Sequence, residues 1–239
     1  MTYGRSISLV FEVSNDCSLK CNGCSVDKNE SMPSSEVMDD LINFYKQFKQ
    51  TGHFIQELEL GPTDLMSSKN RDVIFSNQKL KELAEDFYLI TLVCSFIHPD
   101  ESDYVRFAKQ VENLNDKCTI GIAMPFEMRH WNNKKYVDKI KRNVEIFRSN
   151  IKNELDETIM NIIVDDDIIG NYVEKGIDFD ELFYQIKSLE ITENTKVDFA
   201  FHHGRRNIKD PIVANKFLKS LRLLNEKSIT DIKEEMKRH

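Results

Sequence analysis

The chain has 239 residues, 40% of them hydrophobic and 31% charged, and a formal net charge of −7. That length suits one large domain with a sizeable core. A mean hydropathy of −0.47 and the lack of any apolar run near the ~20 residues of a bilayer span argue against a transmembrane helix. The acidic balance argues against a protein that coats nucleic acid, because phosphate neutralisation needs clustered cations.

The opening residues, MTYGRSISLVFEVSND, lack the long apolar centre of an export signal. Five cysteines in such a chain point away from a disulfide framework and toward free thiols in a reducing, cytoplasmic setting. With five prolines and eight glycines, and no linker-like or low-complexity tract, residues 1–239 read as a single domain.

Taken in chain order, strands are expected at 6–13, 55–61, 87–96, 118–124, 158–164 and 197–203. Several are nearly continuous runs of Ile, Val, Leu and Phe, the pattern of strands buried on both faces. Amphipathic helices are expected between them. The helix at 34–50 has Ser34 and Ser35 as candidate N-caps and an apolar side of Val37, Leu41, Phe44, Tyr45 and Phe48. Shorter helices are expected near 77–86 and 101–114. A long one at 134–151 places Tyr136, Ile140, Val144 and Phe147 on one side, and two more fall at 178–189 and 213–227. Alternating strands and helices are βαβ units and predict an α/β fold with a parallel sheet. Periodicity leaves an open doubly wound sheet and a curved partial barrel both standing. In either, ligands gather beyond the C-terminal ends of the strands.

Just past the first strand, FEVSNDCSLKCNGCSVDKN holds Cys17, Cys21 and Cys24. Apolar packing, the ordinary role of a buried cysteine, suits Cys94 and Cys118 within strands but not three cysteines in a polar loop. Structural zinc normally takes four ligands in close pairs, so a fourth would have to come from a distant residue such as His53, His98 or His202. An iron–sulfur cluster fits better: thiolates are its usual ligands, and three of them leave one iron of a cubane open.

The Cys-x3-Cys-x2-Cys spacing of CSLKCNGC, placed after the first strand, resembles the cluster motif of the radical S-adenosylmethionine (radical SAM) superfamily. The resemblance implies a partial (β/α)6 barrel, with a core at about 6–205 and a C-terminal helical extension at 206–239. It also implies a [4Fe–4S] cluster on Cys17, Cys21 and Cys24, and SAM chelated at the open iron. The reaction it implies is one-electron cleavage of SAM to a 5′-deoxyadenosyl radical, with flavodoxin or ferredoxin as electron donor.

Further segments extend the likeness. GPTD, residues 61–64, stands where the family carries a Gly-Gly-Glu loop for the SAM amine. Gly61 would let the backbone turn, Pro62 would fix the next φ, and Thr63 or Asp64 would offer a side-chain oxygen; an ordinary turn capped by Asp64 is the alternative. Ser95 at the end of the third strand, Asn161 on the fifth and Gly204 after the sixth are the other implied SAM contacts; a buried Cys94–Ser95 pair and a structural Asn161 are the alternatives. His202, His203 and Arg205 stand at that last rim, for substrate, for SAM or as strand caps. The chain departs from the family at Ala123, where a serine is usual and Glu127 is the candidate replacement. It departs again at Gly23, where an aromatic residue is usual, leaving Phe96 or Phe126 to pack on adenine. No substrate base stands out. The substrate expected is a peptide or protein, a nucleotide-type small molecule, or a partner enzyme to be activated. Two rivals remain: a degenerate cluster-bearing module that binds or transfers electrons without cleaving SAM, and a zinc-stabilised binding protein.

Overall fold

The structure, a computed structural model, describes residues 8–12, 17, 34–53, 55–61, 63–67, 71–76, 78–98, 100–115, 118–127, 133–152, 155, 157–164, 189 and 195–201. Six strands are present: β1 (Ser8–Glu12), β2 (Glu57–Gly61), β3 (Leu89–Val93), β4 (Thr119–Glu127), β5 (Glu157–Val164) and β6 (Thr195–Phe201). Among the described residues five helices lie between them: α1 (Ser34–Gln50), α2 (Arg71–Ser76), α3 (Gln78–Ala84), α4 (Glu101–Asn115) and α5 (Lys134–Asn150), with a 3₁₀ turn at Leu65–Ser67. The expected helices at 178–189 and 213–227, and the extension at 206–239, lie outside the described residues apart from Leu189.

All five strand pairings are parallel, and the sheet order is β1-β2-β3-β4-β5-β6. The order never reverses. A doubly wound sheet needs a reversal to put helices on both faces, so that alternative is gone. Right-handed crossovers between successive neighbours send their helices to the same face.

The residues of that face agree. Leu58, Leu60, Ile90, Leu92, Ile120, Ile122 and Met124 are buried, and they share one core cluster with the helices. Each long helix contributes a stripe at helical spacing: Met38, Leu41, Ile42 and Tyr45 from α1; Tyr104, Phe107, Ala108 and Val111 from α4; Val137, Ile140, Val144 and Phe147 from α5. Two stripes differ from expectation. On α1, Met38 and Ile42 belong to the core while Phe44 is 45% exposed; on α5, Val137 is buried and Tyr136 is 40% exposed. Aromatic size does not decide which side faces inward; the arc centred on the other buried positions does. Asn133 caps α5, its side-chain oxygen accepting from the Lys135 N–H at 3.1 Å.

The strand patterns also need correction. β3 is buried at all five positions, as a central strand should be. In β2 only Leu58, Leu60 and Gly61 are buried, and β1 alternates exposed and half-buried residues. The second face carries Ser8, Glu57, Glu59 and Thr91 at registered positions, and the Ser8 hydroxyl donates to Glu57 at 2.7 Å. Burial raises the Glu59 carboxyl above its ordinary value.

Phe107 is fully buried and packs edge-on to Phe75 and tilted against Phe147, with ring centroids 5.7 and 5.2 Å away. Phe107→Ala should cost about 3–5 kcal/mol in denaturant unfolding. Phe44→Ala, at a half-exposed position, should cost less than about 1 kcal/mol.

Candidate functional site at the C-terminal edge of the sheet

Because every strand runs the same way, the six C-terminal ends share one edge of the sheet. Cys17 follows β1 and is half-buried; Thr63 and Asp64 follow β2 and are buried; Ser95 follows β3 and is buried. On β5, Asn161 is registered between Pro125 of β4 and Asp198 of β6. Cys21, Cys24, Pro62 and Gly204 lie outside the described residues, as do Gly23, His202, His203 and Arg205.

The structure brings Asp64 and Ser95 together. The Ser95 hydroxyl donates to Asp64 Oδ2, and Asp64 Oδ1 accepts from the Met66 backbone N–H at 3.0 Å. Asp64 thus caps the short turn at Leu65–Ser67 and ties the ends of β2 and β3. Burial raises its carboxyl above the ordinary aspartate value; the hydrogen bonds from Ser95 and the backbone N–H groups pull the other way without cancelling the rise.

Gly61 is a glycine for reasons of space. It is still part of β2 and its φ lies outside the left-handed region, which among the described glycines only Gly52 enters. A Cβ placed on Gly61 would lie 2.6 Å from Cγ2 of Val93 and 3.1 Å from Oε1 of Glu59. The expectation that Gly61 makes a sharp turn is replaced by close approach to β3.

Beyond Val93 the strand bends. Cys94 still donates its N–H to the Ala123 carbonyl at 2.8 Å, but Phe96 adopts φ +57°, a left-handed conformation that costs a non-glycine residue about 1–3 kcal/mol. Packing holds it there. The Phe96 ring is fully buried, stacked on Tyr104 at 5.4 Å and edge-on to Phe147 at 5.3 Å. Phe96 is therefore a core residue, unavailable as a platform for adenine. Phe126 of β4 is registered with Ile162 of β5, which is registered with Phe199 of β6.

Two residues not anticipated from the sequence complete this edge. Arg71, at the start of α2, is almost wholly buried and pairs with Asp72 and Asp103, each at 3.3 Å. Asn143, fully buried on α5, donates from Nδ2 to the Phe96 carbonyl at 2.8 Å and to the His98 carbonyl at 3.2 Å. A polar residue within the Ile140–Phe147 stripe was the available signal for Asn143.

The remaining cysteines behave as apolar residues. Burial pushes the Cys94 thiol well up and the Cys118 thiol to about 12, so neither offers a thiolate near neutral pH. Cys118 Sγ lies 3.8 Å from the Leu114 carbonyl, just ahead of β4. Of the distant histidines, His98 Nδ1 lies 3.2 Å from Asp103 Oδ2 without a hydrogen bond among the described residues, and His53 Nδ1 lies 3.0 Å from the Thr51 hydroxyl. His53 also precedes β2, placing it at the opposite edge from Cys17. Among the described residues no three His, Cys, Asp or Glu side chains gather to hold a metal ion; Cys21 and Cys24 are not among them.

Compared with models of known protein families the chain matches none, and no curated protein matches it. No described helix is long and apolar enough to cross a membrane.

Gly61→Ala should destabilise the fold by about 1–3 kcal/mol through overpacking. Because the nearest obstruction is the end of the Val93 side chain, Val93→Ala should be less damaging in the Gly61→Ala background than in wild type. A double-mutant cycle on unfolding free energies checks this.

Asp64 supplies a pH prediction. A carboxyl whose value is raised on folding contributes stability that is full below its unfolded value, about 3.9, and is lost as pH rises through the folded value. Ser95→Ala removes a donor that favours the charged form, raising the folded value further. The variant should therefore lose more stability than wild type between about pH 4 and neutrality, while Asp64→Asn should flatten that part of the profile. Urea unfolding across this range is the measurement.

Proposed function

We propose that the protein is a radical SAM enzyme with a single [4Fe–4S] cluster, built on a partial (β/α)6 barrel. The observation that carries this reading is the close spacing of Cys17, Cys21 and Cys24 in the sequence after β1, the first strand of a parallel sheet wound in one direction. Its support is chemical: this segment supplies three cysteines, Cys94 and Cys118 stay protonated, and His53 stands at the wrong edge for a fourth ligand. These donors suit a cubane with one open iron. When bound, the cluster and SAM would supply reductive cleavage of a sulfonium bond and hydrogen abstraction by the resulting 5′-deoxyadenosyl radical.

The chain's own residues would bind, orient and exclude water. Gly61 and Val93 keep the backbones of β2 and β3 close, leaving the following residues to meet SAM from the sheet edge. Thr63, Asn161 and the Ser95 oxygen, as an acceptor because its proton goes to Asp64, are the proposed polar contacts, with Pro62 and Gly204 as backbone contacts. The face carrying Ser8, Glu57, Glu59 and Thr91 would form the inner wall. The substrate proposed is a peptide or protein or a nucleotide-type small molecule; flavodoxin or ferredoxin would be the reductant, and the cytoplasm the setting.

One observation favours a second reading, a cluster-bearing binding or redox module that does not cleave SAM. Both carboxylate oxygens of Asp64 are taken by Ser95 and Met66, so this residue does not present a carboxylate to the SAM ammonium group as the glutamate of the family's loop would. Cleavage separates the two.

Anaerobically reconstituted protein should hold about four irons per chain and release 5′-deoxyadenosine when SAM and dithionite are added. Replacing Cys17, Cys21 and Cys24 with alanine should remove the iron, whereas Cys94→Ala and Cys118→Ala should retain it. Iron without 5′-deoxyadenosine selects the second reading. Stoichiometric zinc with no iron in protein purified without chelators rejects both.

A further inference from the structure

We infer that Asn143 is a positioning residue for SAM, acting at a distance from the ligand through the turn that carries Ser95; the inference rests on the SAM reading above. Asn143 projects from the middle of α5, and its Nδ2 bridges the carbonyls of Phe96 and His98 at 2.8 and 3.2 Å. Those carbonyls bracket the turn after β3, in which Phe96 holds φ +57°. The same turn directs the Ser95 hydroxyl onto Asp64, while the Ile97 N–H lies 3.4 Å from Ser95 Oγ.

A buried amide in a core stripe is costly unless it forms hydrogen bonds. Here it spends both donor contacts on one backbone turn, and its own Oδ1 has no hydrogen-bond partner among the described residues. A left-handed residue persists only where its surroundings over-determine it. The aromatic contacts of Phe96 fix its ring; Asn143 fixes its peptide plane. The result is a preset turn at the sheet's ligand edge, with Ser95 held in place before any ligand arrives. Preorganisation of this kind strengthens binding by removing the ordering cost at the moment of association.

The test uses the full chain, reconstituted anaerobically, with SAM as the probe. Asn143→Ala and Ser95→Ala should each raise the SAM dissociation constant by roughly tenfold, the loss of about one hydrogen bond, with iron content unchanged. The double variant should be no weaker than either single one, because Asn143 acts through Ser95. Asn143→Gln, which keeps the amide donor, should recover part of the affinity. An Asn143→Ala protein with a lower melting temperature but unchanged SAM affinity overturns the inference, as do additive effects in the double variant. If Asn143→Ala does not fold, wild-type hydrogen exchange decides: SAM should slow exchange of the amides from Ser95 to His98, and no change there overturns the inference. Wild-type protein that carries the cluster and binds no SAM overturns the SAM reading, and the inference falls with it.

Discussion

Each of the five strand pairings joins neighbours in the chain, all in parallel, and the polypeptide must cross over between them with one hand. That constraint orders the rest of the molecule. Among the described residues, crossovers of one hand with no reversal of strand order put the helices on one side, where β2, β3 and β4 supply apolar residues to the shared core. Leu58 and Leu60 lie on that side; Glu57 and Glu59, their neighbours on β2, are only half-buried and lie on the other. The same directionality brings the end of each strand to a common edge, which is why residues as distant in the chain as Asp64 and Ser95 meet there.

At that edge the energetics are those of polar groups withdrawn from water. Asp64 is buried and keeps its oxygens satisfied through a hydroxyl and a backbone N–H. Arg71 is buried nearby and shares Asp103 with Arg106, whose guanidinium lies 2.6 Å from that carboxylate. Neither group is inexpensive to bury, and breaking one partner of such a pair leaves an uncompensated charge or lone pair. The three residues Asp64, Ser95 and Asn143 tie together elements from three different βα units. They tie the described residues beyond β2 and β3 to each other and to α5.

Much of this was legible in the residues. Six strand segments and the long helices were readable because apolar spacing follows directly from strand and helix geometry. The parallel pairing followed from the length of the connections. The helix side chosen for the core was harder to read. Phe44 and Tyr136 were placed on the apolar sides by spacing, yet they are 45% and 40% exposed while Met38, Ile42 and Val137 are buried, because a helix face is decided by the whole arc that meets the sheet. Gly61 was legible as a special position, but for the wrong reason: the neighbouring Val93 side chain, not the backbone dihedral, excludes a Cβ. Phe96 read as a platform for a ligand and is instead a core ring.

The sequence by itself determined that this is an α/β chain of parallel strands, with three closely spaced cysteines after the first, since spacing along the chain is enough to specify both. Only the tertiary structure decided the unreversed order of the strands, the unequal faces of the sheet, and the union of Asp64, Ser95 and Asn143. The physical reason lies in distance along the chain. Asp64 and Ser95 are 31 residues apart, and Asn143 and Phe96 are 47 apart. No local periodicity reports such contacts; they exist because five parallel pairings and a shared core bring their strands and helices to the same end of the sheet.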